Sequence, residues 1–280
     1  MRTGKATLIA AIIIGLLIYG CGVEKKEIRL AFKFQTGQKQ LYASAVKTSS
    51  QIYESGALIK SSDISFKSDV SEEVLSVDKN NEARIRLTDI SKKVSINKED
   101  STKLDTIAQS WSIEYLMTPN GKIADIFSQN LSNINITNFY KNYYEQALPV
   151  FPEIPVAEGY SWSQTIKLII KNEKPTKAET FYKIRAFVRE AGYDCAIIEY
   201  KGNMILPFTG TDKDGNLVVK LEKINSEGVI YFGYSAGVIV SQEENYSVQT
   251  EGTKTKDGIS TLFNATGKRH NSLKLIKAEI

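Results

Sequence analysis

Residues 28–34 read Ile28-Arg29-Leu30-Ala31-Phe32-Lys33-Phe34. Ile28, Leu30, Phe32 and Phe34 share one parity, while Arg29 and Lys33 fall on the other. Successive side chains of an extended chain point to opposite sides, so this period of two predicts a half-buried β-strand. The same period recurs along most of the 280 residues. It predicts a long strand over Lys39–Tyr53, another through Ile64, Phe66 and Val70, and another through Trp111, Ile113, Tyr115 and Met117. Beyond residue 160 it marks Trp162–Ile170, Thr180–Val188, Cys195–Tyr200, Met204–Phe208, Leu217–Ile224, Val229–Val240, Tyr246–Thr250, Ile259–Phe263 and Leu273–Ile276. Pro119-Asn120-Gly121 is a hairpin signal, because Asn-Gly tolerates positive φ. Gly192, Gly202, Asp214-Gly215, Gly228, Gly258 and Gly267 read as further turns. Ala83, Ile85 and Leu87 lie on one parity and Ile90, Val94 and Ile96 on the other, which predicts a β-bulge near Thr88–Asp89.

One stretch breaks the period. From Ser132 to Leu148 the apolar positions Ile136, Phe139, Tyr140, Tyr143 and Ala147 recur at three and four, with Asn135, Asn138, Asn142 and Glu145 opposite. That is an amphipathic helix, capped by Ser132 or Asn133 and ended by Pro149. One apolar helix face needs a partner surface, and the concave side of a curved sheet supplies one. The expected fold is mainly β (α+β): a long curved antiparallel sheet, or open barrel, wrapped around this helix. Phe151-Pro152-Glu153-Ile154-Pro155 is stiff and extended. It places a joint between two halves of a single β-rich domain (27–280) near 149–158. The aromatic face of the helix is either core or the lining of a ligand groove formed by Ile136, Phe139, Tyr140, Tyr143 and Ala147.

The N-terminus specifies a location. Arg2 and Lys5 precede an apolar run, Leu8–Leu17, too short for a transmembrane helix of about 20 residues. Ile18-Tyr19-Gly20-Cys21 resembles the lipobox of bacterial lipoprotein signal peptides. The resemblance implies cleavage after residue 20, palmitate-type acylation of Cys21, and a short charged tether over 21–26. Gly22 follows Cys21 rather than Asp, so the outer membrane is favoured in a two-membrane envelope. Two or three acyl chains at about 0.8 kcal/mol per buried methylene hold firmly.

Composition excludes one class of partner. The formal charge is +4, and removal of Arg2 and Lys5 with the signal lowers it to +2. No Lys/Arg run exceeds two residues, so no nucleic-acid stripe is present. The two cysteines are Cys21 and Cys195. With lipid on Cys21 no disulfide forms within one chain, and Cys195, in an apolar run, reads as a buried inert thiol.

The chain also resembles a family of bacterial lipoproteins of unknown function. The residues that carry the resemblance are the lipobox, Phe32, Phe34 and Gly37 in an F-x-F-x-x-G ending, and Phe151, Pro152, Pro155, Val156, Gly159, Ser161 and Trp162 in F-P-x-x-P-V-x-x-G-x-S-W. It implies no functional residues. At the level of architecture alone the expected sheet is similar to periplasmic lipoprotein carriers of the LolA type, whose half-open barrel holds acyl chains.

No residue pattern specifies chemistry. His270 is the single histidine, too few for a triad or zinc reading, and its neighbours Lys268, Arg269 and Asn271 place it on the surface. Asp212, Asp214 and Asn216 occupy the first, third and fifth positions of a calcium-type loop, but Leu217 and Lys223 stand where Gly and Glu are needed, so a hairpin loop is expected. Glu72-Glu73 and Glu243-Glu244 are adjacent on strands, point to opposite faces and read as solvated edge charges. Ser161 lacks the second glycine of a nucleophile elbow. The Asn-x-Ser/Thr sites at Asn130, Asn135, Asn245 and Asn264 carry no meaning in bacterial export.

The expectation is therefore a non-enzymatic, membrane-anchored envelope lipoprotein without cofactor or metal, holding an apolar or acyl ligand between sheet and helix. A structural or protein-interaction module with a filled core is the alternative, and an enzyme a third.

Overall fold

The computed structural model describes residues 26–98, 101–105, 110–127, 148–168, 176–212 and 214–279. The helix expected over Ser132–Leu148 falls outside them apart from Leu148. So do Cys21 and the groove residues Ile136, Phe139, Tyr140, Tyr143 and Ala147. Among the described residues there is no helix.

The described strands are β1 (Lys39–Glu54), β2 (Ala57–Val77), β3 (Ala83–Lys98), β4 (Ser101–Asp105), β5 (Ser110–Met117), β6 (Ile123–Phe127), β7 (Ser161–Leu168), β8 (Thr176–Glu190), β9 (Tyr193–Thr211), β10 (Leu217–Gly233), β11 (Val238–Lys256) and β12 (Ile259–Glu279). All twelve belong to one antiparallel sheet ordered β6-β5-β3-β2-β1-β12-β11-β10-β9-β8-β7, with β4 beside β3. The mainly-β, antiparallel expectation is correct. The sheet is open, with β6 and β7 as edges, and the first and last strands pair at its centre, Lys39 opposite Glu279 through Glu54 opposite Phe263.

The core occupies one end of these long strands. Tyr42, Val70, Val74, Ile85, Ile198, Ile230, Phe232 and Ile239 are buried and lie near the start or end of their strands on one face, called inner below. Two extended segments lie across them. Phe32 of the first and Phe151 of the second are buried, and their rings sit 5.3 Å apart. Each also meets Phe232, at 5.2 and 4.5 Å. Burying each such ring contributes about 1.5–3 kcal/mol.

The first segment corrects the reading of 28–34 as a strand. Its alternation is genuine: Leu30 and Phe32 are buried, Arg29 and Lys33 exposed. Its backbone joins no ladder, however. Ile28 and Val156 form an isolated bridge with two 2.8 Å hydrogen bonds, and Phe32 N–H donates to Pro119 O at 2.7 Å. Alternation reports one-sided burial, and a strap crossing a core shows it as well as a strand does.

Turn chemistry was legible in part. The Asn120-Gly121 hairpin joins β5 to β6, and Gly121 has φ +92°. A Cβ there would also lie 2.4 Å from Pro149 O and 2.8 Å from the Phe32 ring, so strap and hairpin both require glycine. Gly192, Gly215 and Gly258 likewise sit in turns. Gly202, Gly228 and Gly267 do not: they lie inside β9, β10 and β12. A Cβ on Gly202 would lie 2.6 Å from Ser226 Oγ, and one on Gly228 would lie 2.6 Å from the Tyr200 hydroxyl oxygen. Gly202 and Gly228 mark close approach within a strand rather than its end, whereas Gly267 has 3.5 Å of clearance. Consequently Cys195–Tyr200 and Met204–Phe208 are one strand, as are Ile259–Phe263 and Leu273–Ile276. Val229–Val240 is two, divided by the turn ending at Gly237. The expected bulge is present but displaced: Lys67 faces Lys93 and Ser68 faces Ser91, which leaves Lys92 as the extra residue.

Candidate functional site

Strand register brings distant polar residues together on the outer face, opposite the core. Directly opposed residues of antiparallel strands share a face. One rung runs Ser65–Lys47–His270–Asn245–Glu227–Lys201–Phe181 across β2, β1, β12, β11, β10, β9 and β8. The next, two residues away and so on the same face, runs Asp63–Ser49–Lys268–Ser247–Asn225–Asn203. These rungs line a groove of about 960 Å³. A neighbouring concavity of about 540 Å³ shares Ser49, Asp63, Ser247 and Lys268 with it.

Inside the groove, His270 Nδ1 lies 3.0 Å from Asn245 Oδ1. The histidine assigned to a bare surface thus belongs to the groove wall. Among the described residues no salt bridge takes up Lys47, Lys201 or Lys268, so three ammonium groups face the same space. Asp63 and Glu227 are separated by four strand steps, roughly 19 Å at about 4.8 Å each. Paired carboxylates work at about 5–9.5 Å, so these two do not act as an acid/base couple.

A third concavity, about 440 Å³, lies toward the hairpin tips farthest from the core and includes Pro207, Val219, Leu221 and Leu262. Lys220 and Glu251 also line it, and Glu251 stands directly opposite Leu221.

The inner face carries buried carboxylates, which corrects the edge-charge reading. Glu243 is exposed on the outer face as expected, but Glu244 is 8% exposed, and β11 is an interior strand. Burial pushes its carboxyl above the ordinary range, opposed by hydrogen bonds from Tyr246, Tyr200 and Asn271. Glu72 is half-buried and also raised by desolvation, against a 3.1 Å hydrogen bond donated by the Tyr115 hydroxyl. Burial raises Tyr200 and Tyr182 strongly. Cys195 is fully buried, as expected, and burial pushes its thiol up to about 11.

The Asp212 loop is the expected hairpin. Asp212 Oδ1 accepts from the backbone N–H groups of Asp214 and Asn216, each at 2.9 Å, and Oδ2 meets Lys254 Nζ at 2.7 Å. Those contacts hold its carboxyl well below the usual range. Ser161 opens β7, and the neighbouring Trp162 Nε1–H donates to Val150 O at 3.0 Å.

The polar rungs were missed because each strand contributes only one or two unremarkable residues. A search for polar positions alternating with half-buried ones would have found the face, but not the register. No protein-family model matches the chain, and no curated protein matches it in sequence. A solved structure titled "Lipid-protein interactions in lipovitellin" aligns with 88% of this chain and 26% of its own, at 14% identity and a TM-score of 0.48. A likeness that slight does not establish a shared fold.

Proposed function

We propose that this chain is a non-enzymatic, lipid-anchored binding protein of the bacterial envelope, taking its ligand in the groove across β2, β1 and β12 to β8. The groove carries the reading: about 960 Å³ is within the usual size of small-molecule sites, and its polar groups converge from six strands. The separation of Asp63 from Glu227 supports binding over hydrolysis. The lipobox at Ile18–Cys21 supports anchoring. Lys26 donates to the Tyr234 hydroxyl at 2.9 Å, in the turn between β10 and β11 at the core end of the sheet. Cys21 lies five residues before Lys26, within about 17 Å of extended chain. Anchored there, the membrane meets the core end and the groove stands clear of it.

The test has two parts. Cys21→Ala should abolish metabolic palmitate labelling and release the chain from the membrane fraction. Amine-labelling footprints of the full chain, with and without envelope extract, should show protection at Lys47, Lys201 and Lys268. A chain that remains membrane-bound without Cys21 refutes lipid anchoring, and unprotected lysines refute the groove.

A further inference from the structure

The outer face changes character along each strand. On β10 the outward positions pass from Glu227, Asn225 and Lys223 to Leu221, Val219 and Leu217. The last three are 37%, 43% and 46% exposed. On the adjacent β9 the outward series turns from Lys201 and Asn203 to Ile205, 49% exposed. Large aliphatic side chains standing in water, contiguous and ending in a 440 Å³ concavity, form a surface that gains by being covered. The polar end holds Lys201 and Lys268, which no salt bridge takes up among the described residues, together with Asn225 and with Glu227 directly opposite Lys201, and the apolar end holds no outward-facing cation on β9 or β10 beyond Lys223. Two chemistries on one continuous track call for a ligand with the same two chemistries in the same order.

We propose that the outer face binds a single-chain anionic amphiphile, its head at Lys201, Lys268 and Asn225 and its tail along Ile205, Leu221 and Val219. This rests on reading the groove as a binding site. Charge complementarity selects the head. Lys201 lies on β9, next to the β10 strand of Asn225, and Lys268 lies two strands away on β12, so the two cations stand on opposite sides of the amide, and lysine stems are long enough to reach toward an anion held above it. Strand length selects the tail. From Asn225 to Leu217 is eight residues, about 27 Å at about 3.4 Å each, room for a long acyl chain laid parallel to the strands.

The probe is a lysophosphatidylglycerol with a photoreactive diazirine in its chain, added to the full protein in phosphatidylcholine nanodiscs. Irradiation should place adducts on peptides spanning 203–209 and 217–223. Lys201→Gln and Lys268→Gln should each lower labelling at least about tenfold, as expected for loss of a charge-assisted contact. Leu221→Asn, at a position 37% exposed, should do the same by removing apolar contact area, with the unchanged thermal midpoint of the variant showing that the fold is kept. Adducts formed near the N-terminus from bilayer partitioning provide the internal reference. Labelling confined to that reference, or equal labelling by the lysophosphatidylcholine analogue, overturns the proposal. Glycerol 3-phosphate separates the two failures. If the head alone protects Lys201 and Lys268 from amine modification as well as the lysolipid does, the groove takes a polar ligand and the amphiphile is wrong. If neither protects them, the groove itself is not the site.

Discussion

Phe32→Ala tests whether the strap holds the core end together. Phe32 is 8% exposed, and its ring contacts Phe151 at 5.3 Å and Phe232 at 5.2 Å. Truncation removes the ring from water-excluded surroundings and leaves a cavity bounded by the Asn120-Gly121 hairpin, whose backbone carries its own hydrogen bonds from Phe32 N–H and Phe151 N–H. A site framed in that way collapses poorly, which places the cost in the upper range for Phe→Ala, about 3–5 kcal/mol. Against a net stability of about 5–15 kcal/mol this is a large fraction. The assay is urea unfolding of the full chain in detergent, followed by the fluorescence of its tryptophans. Trp162 is tied to the second strap through Val150 O, so it reports the same region. Phe208→Ala is the control, because Phe208 is 37% exposed and lies far from the straps; it should cost less than about 1.5 kcal/mol. A Phe32→Ala loss below about 1 kcal/mol, or one no larger than that of Phe208→Ala, would show that the strap is a passive covering.

Three further outcomes follow from two buried side chains and the glycines. Burial raises the Glu244 carboxyl, so the folded state binds its proton more tightly than the unfolded chain. Its contribution is therefore favourable below the ordinary carboxylate pKa and is lost as pH rises through the folded value. Glu244→Gln should accordingly raise the thermal midpoint at pH 7 and leave it nearly unchanged at pH 4; a lowered midpoint at pH 7 contradicts this sign. Gly228→Ala should cost about 1–3 kcal/mol by overpacking, since its Cβ would lie 2.4 Å from Glu243 O, whereas Gly267→Ala, with 3.5 Å of clearance, should cost less. Cys195, with its thiol raised to about 11, should resist a disulfide reagent at pH 8 until urea unfolds the chain; rapid native labelling would place it at an accessible site instead.

Period-two patterning, the Asn120-Gly121 hairpin, the Asp212 loop and the burial of Cys195 were all readable from the amino-acid order, because each depends on neighbours within a few residues. What the order left open were decisions made between strands. Gly202 and Gly228 look like Gly192 and Gly258 in the chain, yet the first two are fixed by what stands opposite them and the other two by their own φ. Ile28–Phe34 alternates like β10, yet it meets Pro119, Val156 and Gly237 rather than a neighbouring strand. Glu244 looks as solvated as Glu243 until Tyr200 and Asn271 close over it. The groove is the extreme case: Lys47 and His270 are 223 positions apart in the chain and directly opposite in the sheet. Side-chain alternation is a local property of an extended backbone, whereas register is set by the whole antiparallel ladder, and only the ladder puts these polar residues on one rung.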